Sequence, residues 1–434
     1  MQQQPPSPLR GADIREQICP SCGGIFPSNF GFTDWCDRCE WNLEPRAAPE
    51  PRNIIESIYA RLGDRLSRGL ITEMLAAESI RPRLTISKIT AYAIAGLVHG
   101  ITLILLITGI VMIATGWPHF LMVAGGILFA LCAFAVRPRI MKVPEKILSR
   151  ERIPALYKLS DDIADALGTS RLAGIIVDTR FNASFFRAGW RQRKYMTIGI
   201  PMFATLTAME RVSTIGHEIG HGANGDSTRG LFMGTAIASL LTWRSIIRPQ
   251  SLHGNARGMA ALIMIPVNAL LYGVSGIISG VVFLLARLLY RNQQRAEYLA
   301  DYLSAVVAGR EASVTSIDKL HLANIYEFTV QKFVAGSRNP SGLFQELGRQ
   351  MAMIPEREME RLRRISRMES SRLDMTHPPT PYRVQFLDAK SPIEPRITIS
   401  DAEARRIDDE IASFYQAVEH VIVEQRQARM YRMN

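Results

Sequence analysis

The sequence predicts a mainly α-helical membrane protein with a small β-sheet and a cysteine-rich module at its N-terminus. Three observations support this fold class. Apolar residues make up an ordinary 47% of the chain, but they are concentrated in a few long runs. Arg and Lys residues border those runs and contribute to a formal net charge of +11. Four of the five cysteines lie in two closely spaced pairs near the N-terminus.

The positive charge favours an acidic partner, and nucleic acid, anionic lipid headgroups and the positive-inside bias of a membrane protein all fit it. The membrane explanation needs the fewest assumptions, because the basic residues cluster beside the apolar runs. We therefore expect a lipid bilayer as the partner of this charge rather than nucleic acid.

The N-terminal cysteines form two C-x-x-C pairs, Cys19 with Cys22 and Cys36 with Cys39, and thirteen residues separate the pairs. This spacing is typical of a zinc ribbon, in which four thiolates hold one structural zinc. Two disulfides are the alternative, but they suit an oxidising compartment. Residues 1–17 are polar and lack the apolar stretch of a secretory signal. We therefore expect a cytosolic zinc ribbon that acts as a structural or docking module, with a protein as its candidate partner.

Two segments follow the ribbon. The Pro-rich stretch 44–52 predicts a semi-rigid, extended linker. Segment 54–80 carries apolar residues at helical spacing with charges between them. This pattern predicts an amphipathic helix that lies near the membrane surface or against the rest of the protein.

The runs 89–115 and 120–136 contain no Asp, Glu, Lys or Arg, and a short uncharged segment joins them. Their length and polarity predict a transmembrane hairpin, and the length counts against a pair of buried core helices. Basic residues flank both ends of the hairpin: Arg81, Arg83, Lys88, Arg137, Arg139, Lys142 and Lys146. By the positive-inside rule, both ends are expected in the cytoplasm.

After the hairpin, the pattern predicts a helix over 145–168 and three strands over 172–178, 181–185 and 195–200. The strands would form a small sheet. A helix that carries the next motif would lie beside it.

Segment 217–221 reads His-Glu-Ile-Gly-His. On a helix, His217 and His221 share one face, so both imidazoles can converge on one zinc ion. Glu218 lies beside them, where it can act on a water molecule without binding the metal. Residues 203–215 contain no Pro, so a helix can run into the motif. The alternative is a chance match in an ordinary helix, a real risk for so short a motif.

A second motif supports the zinc interpretation. Glu297 and Asp301 lie four residues apart on the helix-compatible stretch 295–307. Glu297 can supply a third zinc ligand, and Asp301 can accept the other ring N–H of a ligand histidine. Taken alone, the two carboxylates would indicate a solvated helix face.

Three segments resemble the HtpX-like zinc metallopeptidases, which are relatives of the CAAX prenyl proteases: HEIGHGANGD at 217–226, EYLAD at 297–301 and THPPTPYR at 376–383. They occur in the order of that family, with a hydrophobic insertion between the first two. The resemblance covers roughly 89–388, and it implies a helical, zincin-type metallopeptidase domain.

The resemblance also implies roles for three further residues. Asn182 matches an edge strand that holds the backbone of the substrate, and an ordinary turn residue is the alternative. His377 and Arg383 match positions near the zinc that can stabilise negative charge on the former carbonyl oxygen. The alternatives are a residue that begins a helix for His377 and a surface salt bridge for Arg383.

In the family pattern, two further membrane helices lie between the motifs, and the apolar segments 230–247 and 259–286 fit them, giving about four in all. Whether 230–247 crosses is left open, because Arg248 and Arg257 would then lie outside. A shallow or re-entrant hairpin is the alternative. A cytoplasmic return is expected at Arg287, Arg291 and Arg295.

The remaining segments carry no catalytic motif. Residues 308–365 are predicted to form charged helices. Segment 400–429 is predicted to be one amphipathic helix that packs or oligomerises.

The sequence thus predicts a membrane zinc endopeptidase with two zinc ions and with its active site and both termini in the cytoplasm. The resemblance implies that it cuts misfolded membrane proteins; removal of a prenylated tail is a second substrate class that nothing in the sequence favours. The alternative is a catalytically silent, membrane-anchored scaffold that recruits a protein or nucleic acid through the ribbon. In that case the core zinc is structural, and a fourth protein ligand would close it. The expected segments are a zinc ribbon (1–43), a linker and amphipathic helix (44–85), a transmembrane hairpin (86–137), the first peptidase part (138–229), a second membrane hairpin (230–290) and the second peptidase part with the C-terminal helix (291–434).

Overall fold

The structure is a computed structural model that describes residues 14–43, 54–77, 85–223, 229–249, 259–336, 342–368, 377–390 and 393–433. Its described part is mainly helical and contains two small β-sheets. The expected mainly α class with a small sheet and an N-terminal cysteine cluster is therefore confirmed.

The ribbon is an antiparallel hairpin of β1 (Ile14–Ile18) and β2 (Ile25–Asn29), in which Ile18 pairs with Ile25. Phe26 is buried together with Cys19 and Cys36, and Trp41 packs against them. So small a core cannot offset the free-energy cost of the conformational entropy lost on folding. A bound metal would supply the missing stability.

Helix α1 (Ile54–Ala76) packs against the rest of the protein. Its residues Leu70 and Met74 are buried in one cluster with Tyr298 and Phe386. The Ser67 hydroxyl also lies 2.6 Å from the Tyr290 hydroxyl in a buried contact. Of the two positions expected for this amphipathic helix, the structure shows the one against the protein.

Helices α2 (Ile86–Thr115) and α3 (Phe120–Ala135) form the expected hairpin. They approach closely at two glycines, because a Cβ placed on Gly109 would lie only 2.8 Å from the carbonyl oxygen of Gly126. Large apolar side chains such as Leu97 and Leu121 are exposed on the outer faces. Soluble proteins rarely expose such contiguous apolar surface, so these outer faces suit a lipid environment.

Helix α4 (Pro154–Ala166) is shorter than expected. The preceding backbone is not helical, because Leu148 forms a β-bridge with Ile175, and the helix begins at Pro154, a residue favoured in a first turn. The expectation of one helix over 145–168 is therefore wrong for its first part.

Strands β3 (Gly174–Asp178), β4 (Ala183–Ala188) and β5 (Arg193–Gly199) form the expected sheet. The order is β3-β5-β4, with β3 parallel and β4 antiparallel to β5. Strand β4 is thus an edge strand of this sheet.

A short helix, α5 (Ile200–Phe203), leads into α6 (Ala208–Ala223), which carries the His-Glu-x-x-His motif and is largely buried. Helix α6 packs tightly on α8 (Met259–Ala308). A Cβ on Gly216 would collide with Val307, and a Cβ on Gly220 would lie 3.3 Å from the Cα of Ala300. Small residues on α6 therefore let the two motif-bearing helices touch.

A π-helical turn (Arg229–Met233) precedes α7 (Gly234–Ile247), and α8 (Met259–Ala308) then runs for 50 residues. Within the described residues, two helices are long and apolar enough to cross a membrane, α2 and the stretch Ile263–Ala308 of α8. Helix α3 and the segment Leu231–Ile247 are apolar but shorter. The expected number of about four membrane helices is therefore not confirmed.

The remaining helices complete the fold. In chain order they are α9 (Arg310–Asp318), α10 (Ala323–Ala335), α11 (Leu343–Ala352), α12 (Glu356–Met368), α13 (Thr380–Asp388), α14 (Asp401–Ala412) and α15 (Tyr415–Met433). The tail is thus two helices, and the expectation of one helix over 400–429 is wrong. The chain turns at the buried Phe414, so that Ile411 of α14 and Val418 of α15 both reach the main core.

The ribbon docks on α12 of the same chain. Arg357 lies over the ring of the buried Trp35, with its guanidinium carbon 4.6 Å from the ring centroid, and donates a hydrogen bond to the Trp35 carbonyl. Arg364 lies 5.0 Å from the same centroid and donates to the carbonyl oxygen of Asp37 at 2.9 Å.

Candidate metal centre and substrate cleft

The close contact of α6 and α8 brings three of the expected ligands together. The Nε2 atoms of His217 and His221 lie 3.2 Å apart. Each lies 3.5 Å from a carboxylate oxygen of Glu297, which is Oε2 for His217 and Oε1 for His221. The two histidines come from successive turns of α6, and the carboxylate comes from the facing side of α8.

These separations fit a zinc ion. Ligand atoms about 2.0–2.1 Å from a tetrahedral zinc are separated by about 3.4 Å. The three measured separations of 3.2, 3.5 and 3.5 Å match that geometry. His217 and Glu297 are also buried, so three ligand atoms converge in a space screened from bulk water.

Asp301 lies behind His217, where the sequence placed it. Its Oδ1 accepts a hydrogen bond from the Nδ1 of His217 at 2.9 Å, which leaves Nε2 facing Glu297. Burial alone would lower the pKa of His217, but its hydrogen bonds with Asp301 and Glu297 raise that pKa to about 10. The site therefore favours a positive charge at this position, and a bound metal ion would supply it in place of the proton.

Arg383 belongs to the same buried network. It donates from Nε and Nη2 to the two carboxylate oxygens of Asp301, at 2.9 and 2.6 Å. Its burial would lower its pKa, but the Asp301 carboxylate raises it, so the guanidinium keeps its charge. The structure thus places Arg383 on the Nδ1 side of His217 rather than on a surface.

His377 lies at the rim of the centre, with its side chain 45% exposed. Its Nδ1 is 2.5 Å from Oε2 of Glu297. So short a contact to a carboxylate is a charge-assisted hydrogen bond, and the nitrogen that donates it carries a proton. His377, His217 and Glu297 form a group whose ligand atoms lie within 4.8 Å of one another.

Glu218 is buried and lines a cleft of about 530 Å³ together with His217, His377 and Arg383. Asn182 and Ala183, at the start of edge strand β4, line the same cleft. All the expected residues of the peptidase site except His221 and Glu297 are therefore cleft-lining residues, and those two complete the cluster beneath it.

The cleft also contains a group of hydroxyls that was not predicted from the sequence, contributed by Ser213, Thr214, Ser304 and Ser316. Ser213 precedes His217 by one helical turn, so the two residues share one face of the helix. That spacing could have indicated that Ser213 lies near the metal ligands. The contact of Ser213 with residues of α8 and α9 depends on tertiary packing, and the sequence carries no sign of it.

The four ribbon sulfurs form a second cluster. Sγ atoms are 3.6 Å apart for Cys19 and Cys39 and 3.7 Å apart for Cys22 and Cys36. A disulfide would need about 2.05 Å, whereas zinc at about 2.3 Å from four sulfurs gives separations of about 3.8 Å. Backbone N–H groups of Cys39 and Arg38 lower the pKa of Cys36 to about 7. The backbone N–H of Gly24 acts in the same direction on Cys22, but contacts with the other thiols outweigh it and raise the pKa of Cys22 to about 11. The assignment of a metal cluster therefore rests on the sulfur separations.

A helical domain in which paired histidines, a glutamate and a buried second acid meet under a peptide-sized cleft defines a metallopeptidase. Comparison with known proteins gives the family. The profile of peptidase family M48 matches residues 155–391, more than half of the chain. The chain belongs to peptidase family M48, and the resemblance to HtpX-like metallopeptidases is confirmed.

The curated relatives agree with this assignment. A protease HtpX homolog of Pyrobaculum calidifontis is 27% identical over 246 residues, which cover 54% of this chain and 67% of the relative. Homologs from Pyrobaculum aerophilum and Pyrobaculum islandicum are each 26% identical, over 242 and 241 residues, with the same coverage. No solved structure gives a significant match.

Proposed function

We propose that the chain is a membrane-embedded zinc endopeptidase that hydrolyses peptide bonds on the cytoplasmic side. One observation carries this proposal. The ligand atoms of His217, His221 and Glu297 lie at the separations that zinc requires, at the base of a cleft that His217 and Glu218 line.

The residues of the chain have separable roles in this proposal. When bound, zinc would supply the Lewis acidity that polarises the scissile carbonyl and makes water more acidic. Glu218 takes a proton from the attacking water and passes it to the leaving amine. Asp301 holds the ring of His217, and Arg383 holds Asp301. Arg383 therefore acts through Asp301 in this geometry.

The substrate backbone is placed by strand β4. In the part of the chain that the structure describes, β4 pairs with β5 on one side only, and its first residues face the cleft. An extended peptide can add to such an edge by main-chain hydrogen bonds. Asn182, exposed at the start of β4, then lies where the peptide passes the metal centre.

A silent scaffold would need a fourth protein ligand that closes the metal. Among the residues that the structure describes, His377 lies near enough to be considered, but its Nδ1 is engaged in a hydrogen bond with Glu297. A nitrogen that donates this bond offers no lone pair to a metal, which supports a fourth position left for water and substrate. This observation favours the enzyme.

The membrane location rests on the exposed apolar faces of α2 and α3 and on the apolar first half of α8. Basic residues at the ends of these helices favour a cytoplasmic cleft and cytoplasmic termini. Segments of misfolded membrane proteins that emerge at this surface are the proposed substrates. The ribbon is proposed to hold a second, structural zinc that keeps it folded on α12.

The test compares the purified wild type with Glu218→Gln on an unfolded soluble protein such as reduced casein. We expect the wild type to cleave it, a chelator to stop cleavage, and Glu218→Gln to be inactive while it retains the core zinc. Glu311→Gln, at an exposed position in the first turn of α9, is the control and should remain active. Equal activity of wild type and Glu218→Gln would refute the assigned role of Glu218.

A further inference from the structure

One wall of the cleft is built from hydroxyl groups beside the metal centre. Ser213 of α6 lies 2.8 Å from Ser304 of α8 and 2.9 Å from Ser316 of α9, measured between Oγ atoms. Ser313 completes this group, 2.9 Å from Ser304. Ser213 is one turn before His217, and a turn rises about 5.4 Å, so this wall adjoins the metal ligands.

The hydroxyl groups on this wall already donate their protons in hydrogen bonds within the protein. Thr214 donates to the carbonyl oxygen of Glu210 at 2.9 Å, and Ser316 donates to the carbonyl oxygen of Ser313 at 2.9 Å. Ser213, Ser304 and Ser313 hydrogen-bond to one another. Each hydroxyl oxygen has two lone pairs. Ser213 and Ser304 are buried and bond to other serines, so the accessible lone pairs are mainly those of the half-buried Thr214 and Ser316. These acceptors fit a ligand group that donates hydrogen bonds.

Two ion pairs flank this wall among the described residues. Lys319 forms an ion pair with Glu210, and Arg363 forms one with Asp318 at 2.8 Å. An ionised side chain placed against the wall would lose water and gain no free counter-ion among these groups, which is costly.

Apolar side chains flank the hydroxyls. Met202, Ile317 and Leu320 line the same cleft. They can contact the methylene or methyl part of a substrate side chain, while the hydroxyl oxygens meet its polar end. The combination distinguishes this wall from a purely apolar pocket.

We infer that Ser213, Thr214, Ser304 and Ser316 form a specificity pocket for a residue flanking the scissile bond, and that it takes an uncharged side chain that donates hydrogen bonds: Gln, Asn, Thr or Ser. This inference rests on the proposed peptidase function. It adds a substrate preference that neither the metal ligands nor Glu218 determine.

The first experiment maps cleavage sites in reduced casein by mass spectrometry and counts the residues on both sides of each cut. We expect Gln, Asn, Thr and Ser to be enriched at one of the two flanking positions. Peptides built on the strongest site are then compared as a pair, one with Gln and one with Met at that position, since Met matches the length of Gln without its donor. We expect kcat/KM to favour the Gln peptide by about tenfold.

The double variant Ser213→Ala/Ser316→Ala should reduce this ratio to about one or reverse it. Ser316→Thr, which keeps a hydroxyl, should retain the preference. Thr315→Ala is the matched control on the same helix, because its exposed hydroxyl bonds to the carbonyl of Glu311 instead of lining this wall. A ratio unchanged by the double variant, or a wild type that prefers Met, would overturn the inference.

The same peptides can be tested for binding to zinc-loaded Glu218→Gln by fluorescence anisotropy. This readout separates the two proposals, since it needs no turnover. A wild type that never cleaves would contradict the peptidase proposal, whereas the ratio of dissociation constants for the Gln and Met peptides would still decide whether the pocket selects hydrogen-bond donors. Equal binding of both peptides counts against the pocket.

Discussion

Arg383 and Asp301 form a two-pronged ion pair that is almost fully buried, with donor–acceptor distances of 2.9 and 2.6 Å. Asp301 uses its Oδ1 for both Arg383 and His217, so the guanidinium is linked through one carboxylate to a proposed metal ligand. A charge pair in such a position is costly to break, because the remaining partner stays buried without a counter-charge.

Replacement of Arg383 by Ala should therefore lower the free energy of unfolding by about 3–5 kcal/mol. Denaturant unfolding of the metal-free protein measures this value. Replacement of the exposed Arg405, on α14, should change it by less than about 0.5 kcal/mol. Equal effects of the two substitutions would show that the buried pair contributes nothing special.

Asp301→Asn should weaken zinc binding by about 10–100-fold, because the amide no longer attracts the Nδ1 proton of His217 as a carboxylate does. Competition with a chromogenic chelator gives the affinity. The change also removes the counter-charge of the buried Arg383, so the free energy of unfolding should fall as well. Circular dichroism checks that the sample used for the zinc measurement is still folded. An unchanged zinc affinity would mean that Asp301 does not support a ligand.

His377→Gln separates a catalytic role from a ligand role. If His377 stabilises negative charge on the former carbonyl oxygen of the substrate, the variant should keep its core zinc and lose about 10²-fold in kcat. Zinc content by plasma mass spectrometry and kcat on a casein-derived peptide are measured in the same preparation. Loss of the core zinc with the activity would instead identify His377 as a ligand and revive the scaffold alternative.

Gly216→Ala should separate α6 from α8, because the new methyl group meets Val307. We expect a fall in unfolding temperature and in zinc affinity, since the histidines move away from Glu297. The control is Gly348→Ala on α11, where a methyl group meets nothing within 4 Å. That change should be neutral or slightly stabilising. The prediction fails if both alanine variants behave alike.

Arg357→Ala combined with Arg364→Ala should release the ribbon from α12, because both guanidinium groups contact Trp35. Each such cation–π contact contributes about 0.5–2 kcal/mol. Limited proteolysis between the ribbon and α1 should become faster, while zinc content stays at two ions per chain. Arg367→Ala, an exposed position on the same helix, should leave the proteolysis rate unchanged.

Sequence patterns with short spacing predicted the parts of the site that lie on single elements. The i, i+4 pairs on α6 and α8 and the paired cysteines fall where helical and ribbon geometry require. The packing of Ser213 against Ser304, or of Arg357 on Trp35, joins residues far apart in the chain and leaves no local pattern. The non-helical segment before Pro154 was missed for the same reason, since its backbone pairs with Ile175 in β3.

Because α8 is one unbroken helix, it sets the distance between its uncharged stretch and the metal centre. Its uncharged stretch ends at Ala286, and the same helix continues without a break to Glu297. Eleven residues of α-helix rise about 16 Å. In the proposed membrane orientation, with α8 along the bilayer normal and Ala286 at the hydrocarbon boundary, Glu297 stands at that height above the boundary. A tethered substrate then needs about five extended residues to reach it, so cleavage positions in a membrane protein should begin no nearer to its last transmembrane residue than this.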